Sequence, residues 1–159
     1  MRAALSKGAA LLLSGISASG CPQGDLSGFA FSVRLQTERD TCLDPPAQYD
    51  ETLEFVLRFD GGSAVSVGTD GAVFATGEIA GCQLTYQTGA WEEDRGGGPI
   101  RWELDGLAQY RFGGTGCEMT DGLDWEGSEV FTVLSSEDPS VPTGCTSELR
   151  ATGTYLGER

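Results

Sequence analysis

The sequence predicts an all-β domain: a single antiparallel sheet of about seven or eight strands, an up-and-down barrel-like fold or a sandwich, following an N-terminal segment that lies outside the fold. Three observations carry this. Apolar and polar residues alternate with period two along most of the chain. Gly-rich or Asp-Gly turns separate the alternating runs. No helical periodicity appears beyond the first twenty residues. Nearest-neighbour hairpins favour the barrel over the sandwich.

The strands follow in order. Phe29, Phe31, Val33 and Leu35 share one face, with Ser32, Arg34 and Gln36 on the other. Leu53, Phe55, Leu57 and Phe59 alternate against Glu54 and Arg58 until Asp60-Gly61-Gly62, a tight hairpin signal. Ser63 to Val67 climbs to Asp70-Gly71, and Ala72 to Ala75 returns. Cys82, Leu84 and Tyr86 share the next inner face. The longest run puts Ile100, Trp102, Leu104, Ala108, Tyr110 and Phe112 inward and Arg101, Glu103, Asp105, Gln109 and Arg111 outward. Gly106 falls on its inner face, where a bend or bulge would let the sheet curl. Glu129 to Leu134 and Leu149 to Leu156 complete the set.

The first twenty residues have a different character. Arg2 and Lys7 precede a mostly apolar stretch from Gly8 to Ala18 that is too short to cross a bilayer, and Ala18-Ser19-Gly20 supplies small residues before Cys21. This is an export signal. Ala18-Ser19-Gly20-Cys21 resembles the lipobox of bacterial lipoproteins, with Ala18 where that family usually has Leu. The resemblance covers residues 1–21 and implies cleavage before Cys21 and a lipid on its thiol. Ordinary signal peptidase cleavage, giving a secreted or periplasmic soluble form, is the alternative. The expected organisation is a signal peptide at 1–20, the lipidated Cys21 with a short tether at 21–28, and a β-rich domain at 29–159. Pro22 stands where the lipoproteins it resembles carry the Asp that retains some at the inner membrane, which implies the outer membrane.

Cysteine parity fits that organisation. Five Cys is an odd number for an oxidising compartment, and lipidation of Cys21 leaves Cys42, Cys82, Cys117 and Cys145. Four thiols admit three connectivities. A meander puts Cys82 near Cys117 and leaves Cys42 for Cys145, although spacing alone does not fix the pairing.

Composition narrows the chemistry. The 159-residue chain carries a net charge of -14, and loss of Arg2 and Lys7 would take the processed chain to -14 minus 2, or -16. Such acidity disfavours nucleic acid, whose phosphates are bound through Lys and Arg. With no His, the Ser-His and Cys-His dyads and His-based zinc sites are excluded. Lys7 is the single lysine, so the processed chain would also lack Schiff-base chemistry.

Candidate sites remain. Trp91, Glu92 and Glu93 lie in one expected loop, and Trp125 and Glu126 in another; ring faces beside carboxylates suit a glycan. The competing expectation is that both rings plug the ends of a small barrel. Asp121, Asp124, Glu126 and Glu129 have enough oxygens for calcium but lack the EF-hand spacing, so a solvated acidic loop is expected, with no metal and no cofactor. Glu92, Glu93, Glu126 and Glu129 could pair as glycosidase carboxylates, a minor alternative to a non-catalytic role. The outward arginines Arg34, Arg58, Arg101, Arg111 and Arg150 are expected in cross-strand ion pairs with Glu54, Glu103 or Asp105. The leading expectation is a membrane-anchored envelope lipoprotein with a binding or structural role, its partners the membrane and a basic protein or glycan. The alternatives are an inhibitor of a cationic hydrolase such as lysozyme, whose bacterial lipoprotein inhibitors are similarly small, anchored and all-β, and a lipocalin-like carrier of an apolar ligand. Gly28-Phe29-Ala30 lacks the Gly-x-Trp of the lipocalin family.

Overall fold

Alternation becomes strand pairing where the sequence marks it. The computed structural model describes residues 28–61, 64–69, 72–80, 83–110 and 124–159. Among them lie β1 (Phe29–Asp40), β2 (Asp50–Gly61), β3 (Ala64–Thr69), β4 (Ala72–Ala80), β5 (Gln83–Gln87), β6 (Trp91–Asp94), β7 (Pro99–Tyr110), β8 (Trp125–Ser136) and β9 (Thr146–Glu158). One sheet holds them in the order β5-β4-β3-β2-β1-β9-β8-β7-β6, all pairings antiparallel. The all-β, antiparallel class is the one the alternation predicts. At the hairpin after Asp60, Gly61 has a φ of 107°, a left-handed backbone that glycine adopts without strain.

The regular up-and-down barrel is corrected. A five-residue ladder joins the two halves of the sheet, Gln83–Gln87 of β5 against 105–109 of β7. Elsewhere the edges stand apart: β3 pairs with β2 only from Val56 onward, and β6 pairs with β7 alone among the described residues. The sheet therefore does not close into an even barrel wall, and towards the Asp50 end of β2 it is sandwich-like. A ninth strand causes this. Trp91 to Asp94, expected as loop, forms β6 by pairing with 99–102 of β7. Thr88 holds the interruption between β5 and β6 to the same edge of β7, its N–H donating to the Leu104 carbonyl at 3.0 Å and its Oγ1 accepting the Leu104 N–H at 3.0 Å. The second expected loop is also corrected, since Trp125 and Glu126 open β8.

The inner faces form two apolar clusters. The larger gathers Phe31, Val33, Phe55, Val67, Leu84 and Trp125 with their neighbours, and the smaller gathers Ile100, Trp102, Val133 and Val141 around Cys42 and Cys145. A disulfide joins Cys42 to Cys145, with Cα atoms 5.1 Å apart, as the meander suggested. The β1–β9 ladder brings the two cysteines together: the Thr41 N–H donates to the Thr146 carbonyl at 2.9 Å, and the Thr146 N–H to Thr41 Oγ1 at 2.8 Å. Cys21, Cys82 and Cys117 lie outside the described residues, as does Phe112; the side chains of Ala108 and Tyr110 do too.

Gly106 is inward as expected, but it is not the bulge. The register shift against β8 falls between Arg101 and Trp102, while Gly106 stays in a regular row between Tyr86 and Glu129. Its role is room. A Cβ on Gly106 would overlap the Tyr86 ring, and one on Gly153 would overlap the Trp125 indole. Overpacking of this kind costs about 1–3 kcal/mol. We expect Gly106→Ala and Gly153→Ala each to lower the urea-unfolding free energy by about that amount. Gly89→Ala, which meets open space, should change it by less than about 0.5 kcal/mol.

Candidate functional site

The two tryptophans of the expected glycan platform are not brought together. Trp91 is half-buried on β6 with its ring 6.3 Å from Phe131 at 86°, an edge-to-face contact. Trp125 is 4% exposed, packed on Gly153 with its ring 6.4 Å from Phe31. Trp91 pairs with Trp102, which pairs with Val133, so the run from 125 to 133 of β8 separates the two levels. At a strand rise of about 3.4 Å per residue that is roughly 27 Å. Both rings serve the core at different levels of the sheet, and their buried indole N–H groups have no acceptor among the described residues.

Each neighbouring carboxylate has its own environment. Glu93 pairs with Arg95 at 2.5 Å, and the Arg95 guanidinium sits 5.4 Å from the Trp102 ring centroid, a cation–π distance. Glu126 faces outward and pairs with Arg150 at 3.2 Å. Glu92 is exposed. Glu129, three residues beyond Glu126, faces the opposite side, as strand alternation requires. That parity splits the oxygens once considered for calcium. Among the described residues no group of three or more His, Cys, Asp or Glu side chains is placed to hold a metal ion, and Asp121 lies outside them.

Glu129 is the polar residue that the sequence reading misplaced on an acidic loop. It is 1% exposed, in the inward register with Phe131 and Val133. The Tyr86 hydroxyl reaches past Gly106 from β5 and donates to Glu129 Oε1 at 2.6 Å. Burial pushes the carboxyl up to about 7, against the weaker opposing pull of the Tyr86 hydrogen bond. Tyr49 lies close enough to feel that charge. Its hydroxyl donates to Glu51 Oε2 at 3.1 Å, and burial, then Glu51 and the charge of Glu129, hold its pKa well above the usual phenol value. The signal was present in the sequence: Glu129 occupies an apolar slot of a period-two strand.

Outside, five of the seven described arginines are used within the chain; Arg39 and Arg101 make no ion pair among the described residues, against the expectation for Arg101, and Arg111 lies outside them. Arg34 grips Asp50 through two hydrogen bonds of 2.8 Å, holding that carboxyl below its ordinary range. Ser66, then Arg58, do the same for Asp60. Arg159 donates to Glu54 at 2.7 Å. Glu54 was an expected partner of the outward arginines, whereas Asp50, Asp60 and Glu126 were not; the pairs run diagonally or along a strand rather than straight across it. Glu78, Asp105, Asp124, Glu137 and Glu158 are exposed and have no such cation among the described residues.

No family model, no curated protein and no solved structure matches the chain. No helix among the described residues is long and apolar enough to cross a membrane.

Because Glu129 binds its proton more tightly folded than unfolded, its contribution to stability is full below about pH 4.5 and is lost as pH rises to about 7. At 1.36 kcal/mol per unit this is about 3 kcal/mol at most. Glu129→Gln keeps an acceptor for Tyr86 without the charge. Unfolding curves of the two proteins should converge near pH 4.5 and separate progressively to pH 7, with the variant the more stable; parallel curves would show that Glu129 does not titrate in this range.

Proposed function

We propose that this chain is a non-catalytic binding domain for a cationic protein, with inhibition of a basic hydrolase such as lysozyme as its most concrete form. One observation carries the reading. Arg34, Arg58, Arg95, Arg150 and Arg159 are each tied to a carboxylate of the same chain, and Arg39 and Arg101 are exposed without an ion pair, while Glu78, Asp105, Asp124, Glu137 and Glu158 stay exposed and uncompensated among the described residues. Pairing cannot consume the surplus at a net charge of -14, so the excess faces outward and attracts a basic surface at long range. The chemistry of the candidate residues adds support. Glu93 and Glu126 are held by arginines and Glu129 by Tyr86 inside the core, an arrangement suited to structure rather than to acid–base catalysis. A carrier of an apolar ligand is less favoured, because Phe31, Tyr86 and Trp125 pack into the space such a ligand would need.

Export and attachment through a lipid on Cys21, with placement in the cell envelope at the outer membrane, belong to the same proposal. They rest on the resemblance of Ala18-Ser19-Gly20-Cys21 to a lipobox. An acidic domain gains nothing electrostatically from anionic head groups, so the acyl chains would supply the anchorage.

Titration of residues 28–159 with a basic lysozyme should give binding at low ionic strength that disappears by about 0.5 M salt, where screening shortens the reach of surface charge. Absence of binding at low salt would sink this reading. In the full chain expressed in bacteria, radiolabelled palmitate should be incorporated and the label lost in Cys21→Ala; label that persists in the variant would exclude lipidation at that thiol.

A further inference from the structure

One surface of the sheet is shaped as well as charged. On the outer face of β4, β5, β7 and β8 two rows of side chains run side by side, set by register: Thr76, Gln87, Asp105 and Val130 in one row, Glu78, Thr85, Leu107 and Ser128 in the other, with polar side chains at six of the eight positions. They border a concave groove of about 720 Å³ whose lining includes Gly77 and Gly106, inward positions with no Cβ.

The groove differs from the rest of the paired surface. None of the six polar side chains makes a hydrogen bond or ion pair within the protein among the described residues. Elsewhere the outward carboxylates of Asp50, Asp60, Glu54 and Glu126 are satisfied by arginine. A row of hydroxyls and an amide, with a carboxylate in each row and no internal cation, is complementary to positively charged hydrogen-bond donors. Sugar recognition would call for an exposed ring face. The one aromatic at the groove, Tyr86, is buried and turned towards Glu129.

We propose that this groove is the docking site for the lysine and arginine side chains of the cationic partner, an inference that rests on the function proposed above. Glu78 and Asp105 stand two strands and two residues apart, about 12 Å at ordinary sheet spacings. That separation suits two cations four residues apart in one extended segment, which share a face about 13 Å apart. Thr76, Thr85, Gln87 and Ser128 then accept the remaining donor hydrogens.

The test uses the full 159-residue chain, the double variant Glu78→Gln/Asp105→Asn, and two probes, a basic lysozyme and a pentapeptide with arginine at each end. In nitrogen-resolved NMR spectra the peptide should shift the amides of Thr76, Thr85, Gln87 and Ser128 before others. The double variant, with an unchanged melting temperature, should bind both probes at least tenfold more weakly. Unchanged lysozyme binding by the variant would overturn the groove while leaving the cationic-partner reading intact. Peptide binding in the groove with no lysozyme binding would do the reverse, and binding of neither would overturn both. Peptide shifts spread over the whole surface would also count against the groove, as would a chitin oligosaccharide shifting the same amides equally in both proteins.

Discussion

The interior depends on aromatic side chains reaching across glycines. Tyr86 sits between Gly77 and Gly106 on the two flanking strands, and its hydroxyl passes over the second of these to Glu129. Trp125 packs in the same manner on Gly153 and meets Phe31 on the strand beyond. A small sheet curling on itself has too little space for a large side chain at every inward position, so large and absent side chains alternate across neighbouring strands. The chain's glycines are thus partly a packing requirement of the core. Only some of them belong to turns.

Much of the strand layout was legible because half-buried strands announce themselves by alternation. Phe29 to Leu35 keeps its parity in an unshifted register with β2, and Ile100, Trp102 and Leu104 stay buried across the register shift that β7 makes against β8. The Cys42–Cys145 bond is the pairing that the meander favoured without fixing it. What escaped notice had no period to show. Trp91 to Asp94 is short and carries three acids, and it becomes a strand through the edge that β7 offers it. Trp125 looked like a loop residue because Gly127 and Ser128 dilute the apolar signal after it. Glu129 was hidden by its type: a carboxylate reads as surface until its parity with Phe131 and Val133 is weighed. The division of β7's edge between β5 and β6, which spoils the even barrel, is a tertiary outcome that no local pattern encodes.

Charge is arranged on two scales. At contact range the arginines neutralise chosen carboxylates and fix side-chain directions on the outer face, each exposed pair adding little to stability. At long range the unneutralised remainder sets the field of the whole domain. Burial of Glu129 separates one carboxylate from both, making it answer to the interior instead of to solvent or salt.

The domain's two ends are bound to each other. Gly28 and Arg159 exchange hydrogen bonds of 3.1 and 2.9 Å at one end of the β1–β9 ladder, and the Cys42–Cys145 bond lies just past the other end. A force pulling the ends apart meets these antiparallel strands in the peeling direction, breaking their bonds one after another rather than together. The peel then reaches a covalent stop. Everything between the two cysteines is bypassed by the load, so tension on the chain could strip its first and last strands yet leave the remainder of the sheet mechanically out of circuit.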